Sequence, residues 1–106
     1  MWVVNGCDLK MTEGDWGLEL PVTINDVTFS QNDEILFTLK DEMNGNTVLT
    51  KNFSDIVENT ITLAFTEEES ALLSVGTYYY ALDWYQNGAF LCNIIPASTL
   101  KVVDKA

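Results

Sequence analysis

The sequence predicts an all-β protein, an antiparallel immunoglobulin-like β-sandwich of about seven or eight strands with one short helical turn. Three observations carry that expectation. Apolar and polar residues alternate over short segments, which is the period of a half-buried strand. Turn-forming pairs such as Asn44-Gly45 and Asn87-Gly88 separate these segments, and both pairs readily take positive φ. A capped helical start shows at one place, after Phe65, so the strand-helix alternation of a parallel α/β fold is missing.

In chain order, an opening strand is expected around Leu9 and Met11. Trp16, Leu18, Leu20, Val22 and Ile24 then alternate with Gly17, Glu19, Pro21 and Thr23, predicting a strand over 16–24 with a wholly apolar inner face. Pro21 has no N–H for a ladder, which puts this strand at an edge or a bulge. Ile35, Phe37 and Leu39 alternate with Leu36, Thr38 and Lys40. After the polar stretch Asp41 to Asn46, Thr47 to Phe53 returns as the second arm of a hairpin. Leu49 and Phe53 compete with Val48 for its inner face, so its register is open.

Ile61, Leu63 and Phe65 alternate with Thr60, Thr62 and Ala64 in a β-branched pattern suited to another half-buried strand. The period then changes. Thr66 and Glu69 have the spacing of a capping box, in which the hydroxyl accepts from the Glu69 N–H while the carboxylate reaches back. Ala71, Leu72 and Leu73 are placed to anchor the turn, and Gly76 is expected to end it. Tyr78, Tyr80, Leu82 and Trp84 form one face of the next strand, and Tyr79, Ala81, Asp83 and Tyr85 the other. Beyond Asn87-Gly88, Phe90 to Ile95 is apolar on both faces, as for a central or covered strand. Leu100 to Val103 closes the domain. Leu73, Gly76 and Tyr78 also have the spacing of a tyrosine corner, whose hydroxyl returns to backbone a few residues upstream.

Composition narrows the function. The chain has 106 residues, with 16 acidic side chains against five lysines, no histidine and no arginine, for a net charge of −11. One domain over residues 1–106 is the expectation at this length. Lysines scattered along an acidic chain do not make the basic patch that nucleic acid requires. The same charge opposes anionic membranes, and no apolar run reaches the ~20 residues of a bilayer span. The N-terminus does not read as a secretory signal, because no basic segment precedes a sustained apolar stretch.

Catalysis is not expected. The commonest general base is missing, and no serine sits in a GxSxG elbow. Cys7 and Cys92 lack CxxC spacing and histidine partners, so they do not make an ordinary structural zinc site. Free, reduced thiols are the preferred reading over a disulfide. Glu67, Glu68 and Glu69 are explained by the macrodipole of a helical first turn. Asp41 to Asn46 matches a calcium loop poorly, since Met43 falls where an oxygen ligand is needed. No cofactor is therefore expected. Tyr79, Asp83 and Tyr85 form the candidate interaction patch. Its aromatic rings fit a protein contact, with sugar stacking or cover by a neighbouring segment as alternatives.

The segment from Phe65 to Tyr80, FTEEESALLSVGTYYY, resembles a signature of small sandwich domains in phage and prophage tail genes of Gram-positive bacteria. In that signature a threonine and acidic residues precede a small-residue pair, then Gly-Thr and a run of tyrosines. The N-terminal domains of baseplate upper proteins are its best-known carriers. Thr12 to Asp15 and the stretch from Asn32 to Lys40 resemble the segments around that family's first strands, while Ala81 stands where the signature has aspartate. The resemblance implies a non-catalytic virion or prophage structural protein, located in the virion or in the host cytoplasm during assembly. Its work would be docking onto other tail or baseplate proteins and self-association into a homo-oligomer. A carbohydrate-binding or cell-surface adhesion module is the alternative of another class.

Overall fold

In the computed structural model, which describes residues 2–25, 27–30, 32–42, 45–54 and 56–104, the alternating segments become strands. Among these residues the elements are β1 (Val3–Asn5), β2 (Asp8–Thr12), β3 (Leu20–Thr23), β4 (Asp33–Lys40), β5 (Thr47–Phe53), β6 (Thr60–Leu63), α1 (Glu67–Ser70), β7 (Gly76–Gln86) and β8 (Ala89–Val103). The protein is mostly β-structure. Six strands form one sheet in the order β1-β2-β8-β7-β4-β5, and β3 pairs with β6 in a second.

The core follows from period two. Ile35, Phe37 and Leu39 of β4 are buried to 1% exposure or less. Cross-strand registers set Phe37 beside Leu82 and Leu39 beside Tyr80 on β7. Ile61, Leu63 and Phe65 bury from the β6 side, and Leu9, Met11, Leu100 and Val102 extend the core along β2 and β8. The Phe37 ring lies 5.6 Å from that of Tyr80 and 6.1 Å from that of Phe65, within the range of favourable aromatic pairs.

The open register of β5 is resolved by its partner. Ile35 faces Phe53 and Leu39 faces Leu49, with an irregularity between Leu39 and Lys40 that absorbs Val48. Leu49 and Phe53 therefore share the inner face. So does Lys51, opposite Phe37, whose ammonium reaches the Glu69 carboxylate at 2.7 Å. The Asn44-Gly45 turn of this hairpin includes Asn44, which lies outside the described residues.

Several expectations are corrected. The strand over 16–24 shrinks to Leu20–Thr23, and Trp16 and Leu18 are exposed rather than in the core. The reason is backbone. Gly14 and Gly17 take φ of 88° and 74°, a left-handed conformation that a continuous strand cannot contain. The Gly17 N–H instead donates to the Phe65 carbonyl at 2.8 Å. The large sheet is also mixed rather than wholly antiparallel, because β2 runs parallel to β8 over Leu9–Thr12 and Leu100–Val103.

The two strands expected between Phe90 and Val103 are one, interrupted by bulges opposite Leu82 and Trp84. Its first half is not a covered central strand. β2 reaches only Leu100 to Val103, so Phe90 and Leu91 stay exposed. Bulges and Pro96 on such a free edge hinder addition of a further strand. Gly76 does not end α1 either. The helical turn closes at Ala71, and short-range bonds from the Leu72 and Leu73 N–H groups carry the chain on. Gly76 instead opens β7.

Asp33 starts β4 and is buried, accepting the Ser30 N–H at 2.8 Å and the Ser30 hydroxyl at 3.1 Å. The Ser30 N–H holds the Asp33 carboxyl below its ordinary value of 3.8 against the opposing effect of burial, with help from the Ser30 hydroxyl. A carboxyl depressed on folding stabilises above its unfolded pKa, and that contribution disappears as pH falls through the folded value. Asp33→Asn is therefore expected to flatten the fall in stability between about pH 5 and pH 2. Denaturation midpoints of both proteins across that range check this; parallel curves would refute it.

Candidate functional site

Alternation along β7 divides its side chains between two environments. Tyr78, Tyr80 and Leu82 are buried on the inner face, whereas Tyr79, Ala81, Asp83 and Tyr85 are half-buried on the outer face. β4 contributes Leu36, Thr38 and Lys40 to that face, in register with Asp83, Ala81 and Tyr79 respectively. With Ala97 of β8 these residues line a shallow hollow of about 260 Å³. Ala81 is the reason the hollow exists, since its methyl group leaves room between the larger Tyr79 and Asp83.

The hollow has defined polar contacts. The Asn93 amide donates to Asp83 Oδ1 at 2.8 Å and to the Ile95 carbonyl at 3.1 Å, which orients the carboxylate at one wall. Tyr85 meets Phe90 edge to face at 5.8 Å. Lys40 lies opposite Tyr79. Phenol rings, a carboxylate and an ammonium on one sheet face suit recognition by stacking and hydrogen bonding. They do not form a nucleophile with a base.

Alternation along β7 puts Tyr79, Asp83 and Tyr85, the three residues singled out from the sequence, on one face, with Tyr85 and Tyr79 at opposite ends of the hollow. Sequence reasoning missed Leu36, Thr38, Lys40, Phe90, Asn93 and Ala97. Phe90 was within reach, because counting outward from Asn87-Gly88 places it near Tyr85. Ala97 was not. Its position depends on bulges in β8 that displace the simple hairpin count.

The remaining singled-out residues do structural work. Tyr78 donates its hydroxyl to the Ser74 carbonyl at 3.0 Å, four residues upstream, beside the buried Leu73. Tyr78→Phe is expected to cost about 1 kcal/mol, the net worth of one such hydrogen bond. An unchanged urea midpoint would sink that role. Thr66 and Glu69 form both halves of the capping box, at 3.1 Å and 2.9 Å. Burial pushes the Glu69 carboxyl up, but Lys51 and the Thr66 N–H outweigh it and hold the group below the usual range.

Asp41 Oδ1 is engaged by the Asn46 N–H at 3.0 Å, while Met43 lies outside the described residues. Among the described residues no group of three His, Cys, Asp or Glu side chains is placed to hold a metal. Cys7 and Cys92 are free and exposed. Trp84, which alternation puts on the face of Tyr80 and Leu82, is half-buried against Phe29 with ring centroids 4.8 Å apart. Burial, with the Cys7 thiol and the Asp8 carboxylate nearby, pushes the Tyr80 phenol up to about 12. It therefore remains a neutral donor, and its hydroxyl bonds to the Cys7 carbonyl.

No protein-family model matches the chain, and neither a curated protein nor a solved structure matches it.

Proposed function

We propose that this chain is a non-catalytic structural and assembly protein of a phage or prophage tail, of the baseplate type, built on an immunoglobulin-like sandwich. It docks other tail or baseplate proteins through the outer face of the six-stranded sheet. The observation that carries the docking reading is the hollow between Tyr79, Asp83 and Tyr85, over which no second sheet lies among the described residues. Half-buried tyrosines beside an oriented carboxylate are the side chains that anchor protein interfaces, because they bury much area at little rotamer cost. The tail context comes from the Phe65 to Tyr80 motif. The immunoglobulin-like reading is supported by the hydroxyl of Tyr78 returning to Ser74 at the start of a late strand.

Co-expression with the products of neighbouring genes tests this reading. A stable complex is expected with at least one of them, and Tyr79→Ser with Tyr85→Ser should weaken it at least about thirtyfold, as loss of interface anchors does. Complexes untouched by the double variant would remove the hollow from the interface. Flanking metabolic genes, or sugar binding that depends on the two tyrosines, would replace the assembly role.

A further inference from the structure

We propose that the cleft between the two sheets is a binding site for a small, neutral, largely apolar molecule. This site lies on the face of the large sheet opposite the docking hollow and does not depend on that reading. The cleft exists because the second sheet is small. β3 and β6 are four residues each and cover only part of the inner face of a six-stranded sheet.

The space amounts to about 300 Å³. Protein interiors carry few voids larger than a water molecule, and an apolar cavity of roughly 150 Å³ takes up benzene. On that scale this cleft accommodates a fused bicyclic ring system or an aliphatic chain of similar bulk. Phe37, Leu63 and Leu82 form its floor, and Val22 one wall, while the exposed Val4 and Cys7 stand at the rim.

The polarity of the lining selects the ligand. None of the described residues that line the cleft is Asp, Glu or Lys. The Tyr80 hydroxyl is already engaged, bonded to the Cys7 carbonyl. A charged ligand would lose its hydration and find no counter-charge. An anion would also meet the field of a chain carrying a net −11. A neutral molecule loses little and gains the burial of its apolar surface.

Fluorescence titration of the whole chain with N-phenyl-1-naphthylamine, a neutral probe, tests the proposal. Saturable binding of one probe per chain with a blue-shifted emission is expected. 8-Anilinonaphthalene-1-sulfonate, which adds a sulfonate to the same aromatic frame, should bind at least about tenfold more weakly because its charge is not compensated. In Cys92→Ser protein, where Cys7 is the remaining thiol, saturating neutral probe should slow modification of Cys7 by an alkylating reagent. Val22→Phe, which fills the wall, should abolish binding. Val4→Asp, at an exposed position that leaves the core intact, should weaken it by charging the rim. Absence of saturable binding overturns the proposal. So does equal affinity for the two probes, unchanged reactivity of Cys7, or full binding by folded Val4→Asp protein.

Discussion

Phe37→Ala is expected to lower the unfolding free energy by about 3–5 kcal/mol, the range for removing a buried phenylalanine from a close-packed core. Phe37 is 1% exposed and sits at the centre of β4. Its ring meets Tyr80 on β7 and Phe65 just after β6. The substitution therefore strips contacts from both sheets at once. Urea denaturation with a two-state fit measures it. A double-mutant cycle with Phe65→Ala should show coupling of about 0.5–1.5 kcal/mol for the aromatic pair. A loss under about 1 kcal/mol would mean that the second sheet does not seal the core at this point.

Leu73→Ala and Leu72→Ala should behave very differently although the two leucines are adjacent. Leu73 is 2% exposed and Leu72 is 58% exposed. The first is expected to cost about 2–5 kcal/mol, and the second to stay within about 0.5 kcal/mol. Leu73 follows α1, where its N–H donates to the Ser70 carbonyl at 3.0 Å, and it fastens the chain to the core just before Tyr78 returns its hydroxyl to Ser74. Comparable denaturation midpoints for the two variants would show that the segment is held by its hydrogen bonds and not by this anchor. Equal and large losses would instead place Leu72 in a contact.

Much of the architecture was legible because its causes are local. β4 was readable from Ile35, Phe37 and Leu39, whose alternation has one interpretation when both flanks carry turn signals. The capping box at Thr66 and Glu69 needs only two residues three apart, and the Asn87-Gly88 turn needs two neighbours with φ of 54° and 81°. The candidate patch was legible for the same reason, since Tyr79, Asp83 and Tyr85 share a face by parity alone.

The failures have a common origin in pairing. Trp16 and Leu18 fit a strand pattern, yet Gly17 turns the backbone, and nothing local distinguishes that glycine from one tolerated in an extended segment. Phe90 and Leu91 fit a covered strand. Whether they are covered depends on how far β2 extends along β8, a contact between residues some ninety positions apart. Gly76 fits a helix terminator, but α1 had already closed at Ala71, leaving the glycine to open β7.

The sequence by itself determined an acidic, histidine-free β-protein, where most of its strands and turns fall, and which side chains of β7 share a face. Periodicity, capping and turn chemistry are set by neighbours along the chain, so they can be read without a partner strand. Only the tertiary structure decided the division into sheets of six and two strands, the parallel pairing of β2 with β8, and the bulges that bring Ala97 to the level of Ala81. It alone revealed the cleft left by the short second sheet. These depend on which distant segments meet and on the volume left between them, quantities that alternation along a single strand does not contain.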